Sequence, residues 1–562
     1  MQNVLWIMAD QLRWDYLSCY GHPHLHTPHI DSLAERGVLF RNAYVQSPVC
    51  GPSRMSYYTG RYCRSHGSTW NGFPLRVGEP TLGDHLRDVG VRSALVGKTH
   101  MKVDVEGMRR LGLSPESNAG VLASQCGFEP FERDDGVHPY TLPGAGKTAY
   151  DDYLRSKGYE SENPWNDFAN STVDDKGDIL SGWLLKSSPG QANIAEEDSE
   201  TPYMTRRAMD FMADAGDQPW CLHLSYIKPH WPYIVPAPYH NMYGPEHVLP
   251  VIRNEAEREA AHPIYDAFME QGLSKVFWKE ETRQAVIPAY MGLIKQIDDQ
   301  LGLLFAFMEE RGLMDNTMIV VTSDHGDYLG DHWLGEKDLF HDASSKTPLI
   351  IYDPRKEADE TRGQVRDELV EGIDLAPTFL SYFGGEERPH ILEGRDLTPL
   401  LHQPEAPENW RRYAVSEYDY CGRLVPEQLG IRQEDARLVM LRDDRWKFIH
   451  AEGFRPMLYD LESDPDELVD LGASTDPEHV EVIARMEAAM NAWARQHHNR
   501  ITVDAAFISR ISGTEPPGCY IGFWDEQDFE DRLGFPFSDT AEASVEKKLA
   551  EPLESAVSEG KK

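Results

Sequence analysis

The segment around Cys50 combines residue types that could do covalent chemistry. Residues 50–54 read Cys-Gly-Pro-Ser-Arg, with a proline in the first turn of a predicted helix that Gly60 ends. Unpaired amide groups at a helix N-terminus and the guanidinium of Arg54 would stabilise a thiolate at Cys50. Cys50 is therefore a candidate nucleophile, and the alternative is a buried structural thiol that precedes a helix.

Further polar residues follow predicted buried strands, whose carboxyl ends form the ligand-binding edge of an open α/β sheet. These residues are Asp10 and Gln11 after residues 4–8, Lys98 and His100 after 91–96, His230 after 220–226, and Asp324 and His325 after 317–322. An adjacent carboxylate and imidazole can hold a divalent ion when Gly326 lets the backbone turn sharply. Each residue alone would be interpreted as a turn or loop residue.

The string from Cys50 to Arg61 resembles the sulfatase signature, Cys-x-Pro-Ser-Arg followed by x-x-Leu-x-Thr-Gly-Arg, and only Tyr57 departs from it. Other strings are similar to sulfatase patterns and occur in the family's order: residues 27–44, Gly-Lys-x-His at 97–100, Lys-Pro-His-x-Pro at 228–232, Asp-His-Gly at 324–326 with the later Lys337, and 372–378. The resemblance covers roughly residues 2–100, 200–400 and 440–475. It implies an alkaline phosphatase-like α/β fold, in which helices sandwich a large mixed sheet beside a smaller C-terminal antiparallel-sheet subdomain and an extended C-terminal tail.

The same resemblance implies roles for individual residues. In sulfatases the signature cysteine, here Cys50, is oxidised after translation to formylglycine, the catalytic nucleophile, so a formylglycine-generating enzyme would be a partner during maturation. The implied catalytic residues are Cys50, Arg54, Lys98, His100, His230 and Lys337; the substrate would contact Gln11 and Asn71; and one divalent cation, Ca²⁺ or Mn²⁺, would be held by Asp10, residue 50, Asp324 and His325.

The site residues combine features of two branches of the family. Most sulfatases have two adjacent Asp residues after the first strand, whereas Ala9 precedes Asp10 here, and together with Gln11 this resembles phosphonate monoester hydrolases and phosphodiesterases. Lys98 and His100 instead match the sulfatase branch. We expect a promiscuous sulfate ester hydrolase of arylsulfatase type, with phosphonate monoester or phosphate diester hydrolysis as the alternative.

A non-enzymatic interpretation also stays open. The chain could be an inactive binding protein of the same fold, or Cys50 could serve thiol redox chemistry. Against the first, every motif position that the chemistry needs is filled. Against the second, no resolving cysteine is close in sequence, although the fold could bring Cys63 near.

Charge and apolar patterning limit the partners. With 55 basic and 93 acidic residues the formal net charge is -38, which disfavours nucleic acid and anionic membrane surfaces. We therefore expect a small-molecule sulfate or phosphonate ester as the substrate, attracted by a local cationic cluster. Five apolar residues at 4–8 are too few for a secretory signal, and seven scattered cysteines without a CxxC pair fit a reducing compartment, so we expect a cytoplasmic protein.

The chain organisation predicts three parts: a catalytic α/β domain over 1–405, an α+β subdomain over 406–510, and a tail over 511–562. The aperiodic stretch 104–200 would form long loops that select the substrate. A helix is predicted over 282–310, and a hairpin is predicted from 446–449 and 458–465. The aromatic residues Tyr520, Phe523 and Trp524 of the tail predict a contact within a homodimer or homotetramer.

Overall fold

The computed structural model describes residues 2–174, 176–496, 500–511 and 522–537. The strands in these ranges are β1 (Asn3–Asp10), β2 (Val38–Tyr44), β3 (Arg92–Gly97), β4 (Glu129–Arg133), β5 (Ser171–Val173), β6 (Ile179–Ser181), β7 (Gln191–Ala192), β8 (Trp220–Pro229), β9 (Thr317–Ser323), β10 (Lys346–Tyr352), β11 (Gln364–Glu371), β12 (Ala414–Asp419), β13 (Arg437–Arg442), β14 (Trp446–Ala451) and β15 (Met457–Asp460). The α-helices are α1 (Pro28–Arg36), α2 (Cys50–Thr59), α3 (Cys63–His66), α4 (Leu82–Asp88), α5 (Val105–Leu111), α6 (Asn118–Ala123), α7 (Ala149–Ser156), α8 (Glu200–Asp214), α9 (Ala256–Glu259), α10 (Pro263–Met269), α11 (Gly272–Lys275), α12 (Glu280–Glu310), α13 (Asp342–Ser345), α14 (Leu375–Tyr382), α15 (Thr398–His402), α16 (Val425–Leu429), α17 (Pro477–Ala494), α18 (Ala505–Ile511) and α19 (Glu526–Leu533).

Eight strands form one large mixed sheet in the order β11-β2-β10-β9-β1-β8-β3-β4. Strand β10 is antiparallel to both of its neighbours, whereas β9, β1, β8 and β3 run parallel to one another. All eight residues of β1 are buried, as expected for a strand between two parallel neighbours. The carboxyl ends of these four parallel strands therefore lie side by side at one edge of the sheet.

Helices cover both faces of this sheet because side chains alternate along each strand. On β1, Leu5 packs in one apolar cluster with Leu293 of α12, and Trp6 packs in the other with Phe379 of α14. The helix predicted over 282–310 is confirmed as α12. These observations confirm the predicted fold class, an α/β fold with a large mixed sheet between helices.

A second sheet of four antiparallel strands, β12 to β15, contains the predicted hairpin. In this hairpin Trp446 pairs with Asp460, and Ile449 pairs with Met457. The stretch 104–200, which lacks sequence periodicity, contains the short helices α5 to α7, the edge strand β4 of the large sheet, and a three-stranded sheet of β5, β6 and β7. Its elements are too short for a hydrophobic period to be visible in the sequence.

The chain divides into two compact units, Met1–His498 and Asn499–Lys562. The boundaries predicted after residues 405 and 510 stay predictions. In the second unit, Phe523 packs against Phe529 beside the exposed Trp524. Tyr520 lies outside the described residues, so the predicted oligomer contact of the tail also stays a prediction.

Two observations concern the cellular setting. None of the helices in the described ranges combines the length and the apolarity needed to cross a bilayer. The cysteines that the structure describes, Cys19, Cys50, Cys63, Cys126, Cys221 and Cys421, are all free thiols. Cys519 lies outside the described residues.

Candidate active site

Four side chains meet at the carboxyl edge of the sheet and form what we call the metal side of the site: Asp10, Cys50, Asp324 and His325. Asp10 ends β1, Asp324 and His325 follow β9, and Cys50 begins α2. All four are buried, and one potential ligand atom of each lies within 4.8 Å of the others. Cys50 Sγ is 3.0 Å from His325 Nε2 and 4.0 Å from Asp10 Oδ1. Two carboxylates and an imidazole at this spacing fit a divalent cation, although they do not select Ca²⁺ over Mn²⁺.

Arg54 holds the two carboxylates of the metal side in place from within α2. Its Nε donates to Asp324 Oδ2 over 2.8 Å, and its Nη2 donates to Asp10 Oδ2 over 3.1 Å. A third group, Nη1, donates to Lys98 O and Ser225 Oγ. Since Arg54 is fully buried, this fork fixes both the geometry and the charge balance of the carboxylates.

The backbone after β9 turns sharply so that Asp324 and His325 face the same point. A Cβ on Gly326 would lie 2.0 Å from Ala343 O, so this turn requires glycine. His325 Nδ1 contacts Gly326 O at 2.8 Å, which directs Nε2 towards Cys50. Tyr57, the residue that departs from the sulfatase signature, donates its hydroxyl to Ser323 O at the end of β9. The departure therefore adds a hydrogen bond that supports the metal side.

Three other side chains come from irregular segments and form what we call the loop side: His100, His230 and Lys337. Lys337 Nζ lies 3.1 Å from Cys50 Sγ and 3.3 Å from His230 Nε2. His230 Nδ1 contacts Trp231 O at 2.7 Å, so the Nε2 lone pair can accept from Lys337. Cys50 therefore lies between His325 on the metal side and Lys337 on the loop side.

Gln11 connects the two sides, because its backbone amide donates to Asp324 Oδ1 over 3.0 Å and its side chain contacts Lys337. Its Oε1 accepts from Lys337 Nζ over 3.0 Å, while its Nε2 donates to Asp327 Oδ2 over 2.5 Å. Tyr233 also donates to Asp327 Oδ2. This network fixes the orientation of the Gln11 amide so that its oxygen faces Lys337.

Lys98 and His100 follow β3, and a carboxylate from a later loop fixes the backbone of Thr99 and His100. Lys98 Nζ lies 2.6 Å from Asp10 Oδ2. His100 has a left-handed backbone with φ of 55°, which is strained for a residue other than glycine. Asp135 Oδ1 accepts from the amides of Thr99 and His100 over 2.9 and 3.0 Å and thereby holds this conformation.

Asn71 lies beside the start of α2. Its Oδ1 accepts from the Gly51 amide over 2.7 Å, and a Cβ on Gly51 would lie 2.7 Å from the same oxygen. Glycine after Cys50 therefore allows Asn71 to approach residue 50. The Cys63 thiol is buried and contacts Gln46 O at 3.4 Å, whereas the Cys50 thiol contacts His325 and Lys337.

The electrostatics of the site favour an anion despite the acidic chain. Burial raises the pKa of the Cys50 thiol, but Lys337, His325 and Lys98 more than offset this and lower it well below its ordinary value. Burial, assisted by Lys337, lowers the pKa of His230 to about 4. At pH 7 His230 is therefore neutral and adds no positive charge beside residue 50.

Comparison with known proteins agrees with this geometry. The model of the sulfatase family matches residues 2–385, and a model described as N-sulphoglucosamine sulphohydrolase, C-terminal, matches residues 330–496. The chain belongs to the sulfatase family.

Relatives and solved structures are similar to this chain over most of its length. It is 31% identical to a multifunctional alkaline phosphatase superfamily protein of Trinickia caryophylli, over 89% of this chain and 96% of the relative. It is 27% identical to an arylsulfatase of Clostridium perfringens, over 84% and 90% of the two chains. Its structure is similar to that of a phosphonate monoester hydrolase from Silicibacter pomeroyi, with a TM-score of 0.76, 30% identity and coverage of 89% and 96%.

The structure thus brings the predicted site residues together around residue 50, while their individual roles stay predictions. Three supporting residues were not predicted from the sequence: Asp135, Asp327 and Tyr233. Asp327 stands within the Asp-His-Gly-Asp string and could have been noticed there. Asp135 and Tyr233 lie in loops without any local pattern that distinguishes them.

Proposed function

We propose that this sulfatase-family protein hydrolyses sulfate esters of the arylsulfatase type, with a formylglycine made from Cys50 as its nucleophile. The observation that carries the proposal is the position of Cys50 Sγ, 3.0 Å from His325 Nε2 and 3.1 Å from Lys337 Nζ. Residue 50 thus faces a cation-binding cluster on one side and a lysine on the other. Attack on a tetrahedral oxyanion needs such an arrangement, because charge develops on both the attacking and the departing oxygen.

The first step would use residue 50 as the hydrated aldehyde, which carries two hydroxyl groups. A divalent cation held by Asp10, residue 50, Asp324 and His325 would lower the pKa of the attacking hydroxyl. That hydroxyl releases its proton to solvent and attacks sulfur, and the bond from sulfur to the organic oxygen breaks as the new oxygen–sulfur bond forms. Lys337 donates a proton to the departing oxygen, because it is the cation in contact with the neutral His230.

The second step would release sulfate and restore the aldehyde. His100 takes the proton of the remaining hydroxyl, the carbonyl forms, and the bond from its carbon to the sulfate oxygen breaks. Water then hydrates the aldehyde for the next turnover. An unmodified cysteine has no second hydroxyl, so it could not release sulfate in this way.

A second candidate activity is hydrolysis of phosphonate monoesters and phosphate diesters. The pair Ala9 and Gln11 around Asp10 favours it, because most sulfatases have a second carboxylate beside the first, whereas here the Gln11 side-chain oxygen accepts from Lys337. These substrates share with sulfate esters a tetrahedral centre that carries a single negative charge. We propose them as side activities of the same site.

The proposal is tested by measuring kcat/KM for four 4-nitrophenyl esters: the sulfate, the phenylphosphonate, the phosphate diester and the phosphate monoester. We expect the sulfate to be hydrolysed best, the two singly charged phosphorus esters next, and the doubly charged monoester least. Cys50→Ala is the control and should hydrolyse none of them. A phosphonate preference of tenfold or more would favour the second candidate. The absence of hydrolysis by formylglycine-bearing protein supplied with Ca²⁺ or Mn²⁺ would contradict both.

Three further expectations stay predictions of this proposal. They are a formylglycine-generating enzyme as the partner in maturation, a cytoplasmic location, and assembly as a homodimer or homotetramer.

A further inference from the structure

The loop that carries Lys337 has an unusual backbone. Between β9 and α13, five residues other than glycine have left-handed φ angles: Leu329, His332, Trp333, Glu336 and Asp338. Asp338, directly after Lys337, is the most extreme, with φ of 109°. Such conformations are strained for residues other than glycine and persist only where surrounding contacts hold them.

The contacts that hold Asp338 come from the C-terminal part of the chain. Arg423 Nη2 donates to Asp338 Oδ1 and Oδ2 over 2.8 and 2.6 Å, and Tyr418 at the end of β12 donates its hydroxyl to Oδ1 over 2.8 Å. Asp338 and Tyr418 are buried. A buried carboxylate with both oxygens bonded to a guanidinium is rigidly oriented.

Arg423 also contacts a second segment of the site, the turn that carries Asn71. Its guanidinium lies 5.3 Å from the ring centroid of Trp70, the residue before Asn71. A Cβ on Gly422 would lie 2.3 Å from Trp70 Nε1, so the segment before Arg423 packs closely on the same indole. Asn71 in turn contacts the amide of Gly51. One arginine thus lies against both the Lys337 loop and the Asn71 turn.

We propose that Arg423, assisted by Tyr418, is a positioning residue that places Lys337 for proton donation to the departing oxygen. This inference rests on the proposed function, in which Lys337 serves the leaving group. The C-terminal sheet is then a working part of the active site, because it sets the backbone conformation next to a residue that faces Cys50. Removing the guanidinium would let Asp338 relax and move Lys337 Nζ from its contacts with Gln11, residue 50 and His230.

The test compares Arg423→Met, which keeps the aliphatic stem, with wild type on a series of aryl sulfates of rising leaving-group pKa. We expect Arg423→Met to lower kcat about 10- to 100-fold for phenyl sulfate. The loss of kcat for 4-nitrophenyl sulfate should be several times smaller, because only phenolate, the poorer leaving group, needs the proton. Arg423→Lys should recover part of the loss. Arg432→Met is the matched control, since Arg432 is an exposed arginine of the same region paired with Glu434 and Asp435. It should match wild type.

If the wild type is active, the inference would be overturned by an Arg423→Met variant that loses the same fraction of kcat for all leaving groups, or that loses none. If Arg423→Met does not fold, Tyr418→Phe provides the same test, with a smaller change expected in the same direction.

A second measurement does not depend on activity. Lys337 is buried, so an acylating reagent followed by peptide mass spectrometry should modify it slowly in wild type and in Arg432→Met. We expect modification at least several-fold faster in Arg423→Met. Equal rates would overturn the inference even if the wild type hydrolysed neither ester class, an outcome that would separately contradict the proposed function.

Discussion

Two stretches that follow the same strand, β9, are held in different ways. Asp324 and His325 come directly after Ser323, the last residue of β9, and are fixed by regular elements, since Arg54 of α2 bonds Asp324 and Gly326 allows the turn. Lys337 stands fourteen residues beyond Ser323, in a loop with strained backbone angles that distant residues restrain. The metal side is thus built by the sheet itself, whereas the loop side depends on packing contributed from elsewhere in the chain.

The largest expected effect comes from the metal side. Asp324→Asn removes one of the two carboxylates of the cluster and the partner of Arg54 Nε. We expect kcat/KM to fall by about 10³-fold or more for every ester, because several kcal/mol of charge stabilisation is lost whatever the leaving group. Metal content measured by mass spectrometry should fall in parallel. A variant with normal metal content and a loss confined to poor leaving groups would contradict the distinction between the two sides.

A smaller and more selective effect is expected on the loop side. Lys337→Met keeps the length of the side chain but removes the proton donor. We expect a loss of about 10² to 10³-fold for phenyl sulfate and a clearly smaller loss for 4-nitrophenyl sulfate, with bound metal unchanged. The slope of log kcat against leaving-group pKa is the decisive measurement. A slope equal to that of wild type would place Lys337 outside the leaving-group step.

The smallest effect is expected for Asp135, which accepts a hydrogen bond from the backbone amide of His100. Burial raises the pKa of the Asp135 carboxyl, but the Arg133 guanidinium and the His100 amide offset this and hold it below the ordinary 3.8. A depressed carboxyl pKa stabilises the folded state at a pH above 3.8, and this stabilisation is lost progressively as the pH falls from 3.8 towards the lower pKa of the folded state. Asp135→Asn should therefore lower the free energy of unfolding by about 1 kcal/mol at pH 7, a value reduced by solvent screening of this partly exposed group.

The difference between wild type and Asp135→Asn should shrink below pH 4 in thermal unfolding scans. At pH 7 the activity of Asp135→Asn should fall by a modest factor, since His100 loses a restraint on its strained backbone. Asp152→Asn is the matched control, because Asp152 is an exposed carboxylate paired with Arg155. A stability difference that does not change with pH would show that the carboxylate charge of Asp135 is unimportant.

The sequence predicts the metal side well for a physical reason. Parallel strands bring their carboxyl ends to one edge, so Asp10 and Asp324 could be placed together from strand patterns alone. The large sheet, the helix α12 and the hairpin of β14 and β15 were predictable for similar reasons, since each has a clear hydrophobic period or run.

The loop side was not predictable in this way. Lys337 could be named only from resemblance to sulfatases, and His100 and His230, although they follow predicted strands, received their roles only from that resemblance, because a histidine after a strand has no pattern of its own. The contact of Arg423 with Asp338 joins residues 85 positions apart, and the left-handed angles of the Lys337 loop fall on residues that rarely adopt them. Asp135 was missed because its role is to accept from backbone amides, which leaves no trace in residue spacing.

The central claim is that residue 50 acts as a formylglycine, in contact with His325 of the metal side and Lys337 of the loop side. Mass spectrometry of the tryptic peptide that contains residue 50, with aryl sulfate and aryl phosphonate hydrolysis measured on the same samples, tests it most directly. We predict a mass loss corresponding to conversion of cysteine to the aldehyde, and hydrolysis in proportion to the converted fraction. An unmodified thiol after co-expression with a competent formylglycine-generating enzyme, or activity that does not follow the converted fraction, would contradict the account.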